Sequence, residues 1–320
     1  MESLEFPISL TDVQGAAARI AGVAHRTPIV TSRTLDERVG ASVHLKAEGL
    51  QRIGAFKFRG AYNTVAQLSA AELAGGVVAS SSGNHAQALS LAAKLCGSHA
   101  TILMPNDAPA SKKAATEGYG ATVVGYDRYR DDRDALTVDY AREHGMTLVH
   151  AYDEPRVMAG AGTVGLELVQ DVPGLDVVVV PLGGGGLLSG CATAVKGLSP
   201  TTRVVGVEPE ASPDYQRSLA AGKPVHVEIA KSICDGQLLP EPGPRPWQVI
   251  SKLVDEVVTV SDDEVREAMR LLFERLKIVA EPSGASALAA ALAGRISGGR
   301  AGVVLSGANV SAERFAELLG

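Results

Sequence analysis

The sequence has few cysteines, few aromatic rings, no surplus of basic charge and no long apolar run. Cys96, Cys191 and Cys234 are odd in number and far apart, and none sits in a Cys-x-x-Cys pair. That pattern argues against a disulfide framework and a cysteine-based zinc site, and reads as free thiols in a reducing compartment. Lys and Arg number 30 against 36 Asp and Glu, a formal charge of −6. A chain with no basic excess is poorly suited to neutralise a phosphate backbone, which argues against nucleic-acid binding. No stretch approaches the roughly 20 apolar residues that a membrane-spanning helix needs. The N-terminal MESLEFPISL carries two acids and no basic region before an apolar stretch, so we expect no signal peptide. A cytoplasmic protein without membrane contact is expected. Aromatics are 4% of a chain that is 46% hydrophobic, enough apolar content to bury a core and to exclude general disorder. At 320 residues, two domains are expected.

Helical and strand patterns alternate along most of the chain. Thr11-Asp12-Val13-Gln14 predicts a capped helix over 11–23, and Ser69 with Glu72 and Ser261 with Glu264 mark two more helix starts. Short Val/Ile/Leu strands are predicted near 43–46, 77–80, 100–104, 122–126, 147–150, 176–180, 204–208, 257–260 and 303–305, with helices between them, one over 160–169. The stretch 209–247 is rich in Pro and Gly and reads as less regular. The class is α/β, with parallel sheets flanked by helices. Residues 70–149 make four strand–helix units and are expected to form a small domain inserted into a larger one of residues 1–69 and 150–320.

The most informative stretch runs from Asp176 through Val177-Val178-Val179-Val180-Pro181-Leu182 into Gly183-Gly184-Gly185-Gly186 and then Leu187. A buried strand feeds four glycines, and a helix starts at once. Glycine backbone lets several N–H groups converge on one anion, and the helix start adds partial positive charge. No Gly-Lys-Ser/Thr follows, so this is no P-loop, and no ribose-binding acid marks it as a dinucleotide fingerprint. Four consecutive glycines exceed the needs of a tight turn, and the segment reads as a phosphate cradle.

Lys57 lies between Phe56 and Phe58 at a loop–helix junction. Apolar neighbours desolvate an ammonium and lower its pKa, which suits Schiff-base chemistry. Taken alone, the segment also fits an ordinary surface lysine with packed neighbours. Ser80-Ser81-Ser82-Gly83-Asn84-His85 follows a strand and opens a helix. Its hydroxyls, amide and N–H groups suit a carboxylate, and equally suit a plain N-cap cluster.

Together these segments resemble the fold-type II pyridoxal-phosphate (PLP) enzymes, within them the threonine/serine dehydratase and serine racemase family. Gly54-Ala55-Phe56-Lys57-Phe58-Arg59-Gly60-Ala61 is similar to the cofactor-lysine motif, Ser81-Ser82-Gly83-Asn84-His85 to the substrate-carboxylate and ring-hydroxyl loop, and the four glycines to the phosphate loop. Leu305-Ser306-Gly307-Ala308-Asn309 is similar to the segment whose serine faces the pyridine nitrogen. All four come in the family's order, and the resemblance runs from about Thr27 to Val310.

The resemblance implies a two-domain, tryptophan synthase β-like fold. It implies that Lys57 carries PLP and removes the α-proton, that Gly183, Gly184, Gly185 and Gly186 hold the phosphate with Leu187 beside them, and that Asn84 bonds the ring hydroxyl. Phe56 would pack near the ring, Ser306 would face its nitrogen, and Glu281 would complete the cofactor-binding set. A neutral Ser306 makes the ring a weaker electron sink than a carboxylate would, favouring prompt β-elimination. Ser81, Ser82, Gly83, Asn84 and His85 would hold the substrate carboxylate, with His85 a capping or packing residue rather than a base. Ser82 matches the position that exchanges a proton on the face opposite the lysine in the family's racemases.

The activity implied first is β-elimination of L-threonine or L-serine to a 2-keto acid and ammonia. The alternatives are a serine or aspartate racemase, and an ammonia-lyase for 3-hydroxyaspartate or another β-hydroxy amino acid. A catalytically silent ligand-binding relative is the reading from a different class. Arg133, at the end of Tyr126-Asp127-Arg128-Tyr129-Arg130-Asp131-Asp132-Arg133, would reach an acidic substrate or belong to a solvated charge run. The Tyr-Asp-Arg-Tyr wording is shared with relatives acting on 3-hydroxyaspartate.

Glu208, Ser212 and Asp214 match the family's Mg²⁺ or Ca²⁺ site, since two carboxylates with a carbonyl between them suit a hard divalent cation; an acidic surface loop is the plainer reading. Three departures stand out. Ala55 stands where many relatives have Ser, and Ala161 replaces a common Gln. After Asp235-Gly236 the sequence turns proline-rich, which leaves substrate choice open. The chain ends just past the last motif, so we expect no regulatory domain of the kind found in biosynthetic threonine dehydratases. A homodimer is expected by resemblance and by the frequency of two-fold assemblies.

Overall fold

The structure, a computed structural model, describes residues 6–320 apart from the side chain of Ser111. The signal-peptide reading falls partly on residues 1–5, which lie outside the described residues. Among the described residues ten strands occur: β1 (Ile29–Val30), β2 (Ser42–Ala47), β3 (Val77–Ser80), β4 (Ala100–Pro105), β5 (Thr122–Tyr126), β6 (Thr147–Leu148), β7 (Val177–Pro181), β8 (Arg203–Pro209), β9 (Glu256–Val260) and β10 (Arg300–Leu305). They form a six-stranded sheet in the order β1-β2-β10-β7-β8-β9 and a four-stranded sheet in the order β5-β4-β3-β6. All pairings are parallel except β1 with β2. Strand β7 is buried at every position, as an all-Val run covered by helices on both faces should be.

Helix Pro155–Asp171 begins five residues before the start predicted from sequence and is buried from Val157 to Leu168. Its partner is helix Gly186–Leu198, which follows the glycine loop. The two cross at Gly162 and Gly190, and a Cβ on Gly162 would lie 2.7 Å from the Gly190 carbonyl oxygen. Glycine is required there by contact, and the resulting lack of a polar face explains why helical periodicity did not reveal the helix's full length.

Other boundaries also differ from expectation. The first helix, Leu10–Ile20, is capped by Ser9, not Thr11: the Ser9 and Asp12 side chains form the capping box. The strand predicted over 147–150 shortens to Thr147–Leu148. The stretch 209–247 is less irregular than predicted, since it contains helix Asp214–Ala221 and the start of helix Pro244–Leu253. Helices Arg33–Val39 and Ala312–Leu319 and strand β1 were not predicted; each is short, so its pattern carries little period. The capped starts at Ser69 and Ser261 occur as predicted. Among the described residues no helix is long and apolar enough to cross a membrane.

Parallel α/β sheets place ligands beyond the carboxyl ends of their strands. Here β2 leads toward Lys57, β10 ends before Ser306 and β7 runs into the glycine loop, while β3 of the other sheet ends before Ser81-Ser82. Strands β2, β10 and β7 are neighbours, so residues distant in sequence arrive at one place.

Candidate active site

A cavity of about 360 Å³ lies where these strand ends meet. Phe56, Lys57, Ser81, Ser82, Gly83, Asn84, His85, Arg133, Gly183 to Leu187, Glu281 and Ser306 all line it. Every cofactor- and substrate-binding residue named from sequence is therefore in one cavity.

Lys57 opens helix Lys57–Val65. Its Nζ donates to the Ala151 carbonyl at 2.7 Å and lies 5.1 Å from the centre of the Phe56 ring. Burial lowers its pKa from the ordinary 10.5 to about 8, so about a tenth of the free amine is neutral at pH 7. Two residues on, the fully buried Arg59 binds Glu48 at 2.8 Å and Glu167 at 2.7 Å. Lys46, also fully buried, binds Glu167 at 2.7 Å. This group of charges ties the lysine helix to β2 and to helix Pro155–Asp171.

The glycine loop is tightly packed. A Cβ on Gly184 would enter the Tyr152 ring, and one on Gly185, where φ is +87°, would meet the Tyr215 hydroxyl. The loop and Tyr152 both line the cavity. Gly185 offers no side chain to cap helix Gly186–Leu198, and Gly83 none to cap helix Asn84–Leu95. Two helix N-termini thus present uncapped N–H groups at one cavity, a donor set suited to a phosphate and a carboxylate. With a desolvated lysine between them, the residues fit PLP.

Asn84 donates through Nδ2 to Glu281 Oε1 at 2.7 Å and accepts through Oδ1 from Asn309 Nδ2 at 2.7 Å. Burial pushes the Glu281 carboxyl up to about 7, against the lowering effect of the Asn84 bond. Ser306 is buried, and its carbonyl accepts the Phe56 N–H at 3.0 Å. The Ser81 hydroxyl accepts from the Gly83 N–H at 3.2 Å. The buried His85 ring places Nε2 3.0 Å from the Val149 carbonyl oxygen, and its pKa falls to about 3 through burial and then the charge of Lys57. The ring is therefore neutral, with its Nε2 turned to the backbone.

Arg133 is an exposed residue at the rim of the cavity, its side chain 49% exposed. It lines the cavity and holds Asp134 in a fork at 2.8 and 3.2 Å. A second cation, Lys112, lines the same cavity and binds Asp235 at 3.0 Å. Lys112, Tyr152 and Asn309 also line the cavity and were not named from sequence. Nothing local in sequence marks the first two, because Asp235 lies 123 residues from Lys112 and the glycine loop 32 or more from Tyr152; Asn309 lies in the Ser306 motif but carries no signal of its own partners.

Away from the cavity, Glu208 and Asp214 are buried together with Ser212. Glu208 accepts the Tyr215 and Gln216 N–H groups at 2.9 and 3.0 Å, whereas neither carboxylate oxygen of Asp214 has a hydrogen-bond partner. Burial raises both carboxyls, Asp214 to about 7, and the Asp214 charge adds to the rise at Glu208. The Ser212 hydroxyl is used on the Leu239 backbone. Buried, under-bonded acids of like charge fit a hard cation.

Residues 20–307 match the family described as pyridoxal-phosphate dependent enzyme. An L-threo-3-hydroxyaspartate ammonia-lyase from a Pseudomonas species is 49% identical over 97% of this chain and 98% of its own length. An L-threonine ammonia-lyase from Thermotoga maritima is 41% identical over 95% of this chain and 76% of its own. The structure of maize serine racemase superposes with a TM-score of 0.94 at 38% identity, covering 98% of this chain and 97% of that one. With the cavity, the lysine and the glycine loop lining it, the chain belongs to the fold-type II family of pyridoxal-phosphate dependent enzymes.

Proposed function

We propose that this enzyme is an ammonia-lyase for a β-hydroxy amino acid with a second carboxylate, 3-hydroxyaspartate, in preference to L-threonine and L-serine. The observation that carries this reading is the pair of cations, Arg133 and Lys112, lining the cavity that holds Lys57. The side chain of threonine or serine has no charge to pair with them. The similarity to the Pseudomonas enzyme supports the same choice.

When bound, PLP supplies an electron sink for the substrate's α-carbon. Lys57 would carry it and would move the α-proton; its lowered pKa leaves part of the free amine neutral. The N–H groups of Gly183 to Gly186 would hold the phosphate, with Leu187 beside them. Asn84 would bond the ring hydroxyl, Phe56 would pack near the ring and Ser306 would face its nitrogen. Glu281 acts through Asn84. Ser81, Ser82, Asn84 and the backbone at Gly83 and His85 take the α-carboxylate, and Arg133 with Lys112 takes the second one. Loss of the β-hydroxyl as water leaves an enamine that hydrolyses to a 2-keto acid and ammonia.

The test is 2-keto acid release by PLP-loaded protein from L-threo-3-hydroxyaspartate, L-threonine and L-serine, with R133A beside the wild type. We expect the highest kcat/KM on 3-hydroxyaspartate, and a loss of about 10- to 100-fold in R133A on that substrate alone. A wild-type preference for threonine would overturn the choice. Racemisation is the second reading, favoured by Ser82 at the cavity wall. D-isomer in the unreacted substrate, lost in S82A, would support it.

Three further assignments belong to the same proposal. Glu208, Asp214 and Ser212 bind Mg²⁺ or another divalent cation of structural role. Chelation should lower the melting temperature of wild type and leave D214A unchanged. Residues 70–149, which contain all four strands of the smaller sheet, form the small domain, and residues 1–69 and 150–320 the large one. The chain forms a homodimer, which light scattering would report; the exposed Leu50, Phe273 and Val279 support it.

A further inference from the structure

We propose that Asn309 is a positioning residue that sets the amide orientation of Asn84 and the turn that presents Lys57. The inference rests on the assignment of Asn84 to the cofactor's ring hydroxyl.

Asn309 Nδ2 carries two hydrogens, and the structure uses both. One goes to Asn84 Oδ1 and the other to the Ile53 carbonyl oxygen, each at 2.7 Å. The first bond fixes a choice that Asn84 cannot make alone. An amide can turn over, exchanging its donor and acceptor ends. With Asn309 donating to Oδ1, Nδ2 must face Glu281, and the observed bond there is 2.7 Å. One N–H of Asn84 is then left over, and Asn84 lines the cavity. Asn84 therefore offers a donor to the ring oxygen.

The second bond acts on the lysine loop. Ile53 has φ 59° and ψ 8°, a left-handed conformation that β-branched residues rarely adopt. Gly54 follows with φ +74°, and a Cβ there would lie 2.6 Å from Asn309 Oδ1. Past this turn the chain is stitched to the same segment: Ala308 N–H donates to the Gly54 carbonyl at 2.9 Å and Phe56 N–H to that of Ser306 at 3.0 Å. Lys57 follows directly. A single amide thus joins the ends of the lysine loop, the asparagine loop and the serine segment.

The charged groups facing this part of the cavity are Lys57, Glu281, Asp235, Lys112 and Arg133, and substitution at 309 removes none of them. N309D keeps the shape and replaces the donor with an acceptor beside two oxygens. N309A removes the bonds without adding charge, and serves if N309D does not fold. Both are compared as holoenzymes with wild type and N84A by cofactor titration in fluorescence and by the pH dependence of the cofactor's visible absorption.

We expect N309D to bind the cofactor about tenfold more weakly and to move the midpoint of the absorption titration by about one pH unit. N309A should move both in the same direction by less. Wild-type affinity and midpoint in both variants, with N84A impaired, would overturn the proposal. A lowered melting temperature with an unmoved midpoint would also overturn it, since that is a purely structural role. A wild-type N84A would instead overturn the Asn84 assignment on which the proposal rests.

Discussion

Two cations near the active site are ion-paired in opposite ways. Arg59 has no exposed side-chain surface and makes forked bonds to Glu48 and Glu167, with Thr163 and the His25 carbonyl as further acceptors. Lys112 makes one bond to Asp235, and those side chains are 37% and 68% exposed. The first cannot lose a partner without leaving a charge stranded in the interior. The second can, because water replaces whatever leaves. The buried group fixes where Lys57 starts its helix; the exposed pair is the one that, under the proposed function, exchanges its acid for a substrate carboxylate. A fixed frame and an adjustable mouth thus use the same chemistry at different depths.

The largest effect should come from breaking the frame. R59M strands Glu48 and leaves Glu167 with Lys46 as its one cation, and we expect a loss of about 3–5 kcal/mol in urea unfolding. R59K restores the charge but not the fork, and should recover only part of that loss. If R59M unfolds like wild type, the frame reading fails.

Lys57 stands between the two cases, half-buried with its pKa lowered to about 8. In the cofactor-free protein, the unfolded chain keeps this lysine protonated between about 8 and 10.5 while the folded chain does not. The unfolded state then binds more protons, so the Lys57 contribution to stability rises with pH across that window. K57M should flatten this rise, measured as the difference in unfolding midpoint at pH 7.5 and pH 10.5.

The smallest effect on stability should come at the mouth. D235N should change unfolding by no more than about 1 kcal/mol. Its kinetic effect sharpens the comparison: removing the competing acid should lower KM for 3-hydroxyaspartate several-fold and leave KM for serine unchanged. Added salt should shrink that difference, since the pair is exposed to screening. Equal changes for both substrates would mean that Lys112 does not meet the second carboxylate.

Local signals made much of the molecule legible beforehand. The valine run of β7, the four glycines after it and the capped helix starts at Ser69 and Ser261 depend on neighbours in sequence. Hydrophobic period, glycine freedom and capping are short-range physics, and they sufficed for the α/β class and for the strand–glycine loop–helix turn after β7. Four motifs in a known order then joined Lys57, Asn84, the glycines and Ser306 into one expected site. Where the period was weak, as in the glycine-studded helix Pro155–Asp171 or the short helix Arg33–Val39, the boundaries were not legible.

Tertiary structure alone decided the partners. That Asn84 answers to Glu281 and Asn309, that Tyr152 backs the glycine loop and that Lys112 faces Asp235 all follow from the meeting of chain segments 32 to 225 residues apart. No local pattern encodes such pairs, because each is set by sheet order and by which strand ends share a cavity. The same holds for charge: sequence named Arg133 as a candidate for an acidic substrate and gave Arg59 no role, and only tertiary structure buried Arg59 as a fixed strut and left Arg133 exposed at the cavity wall.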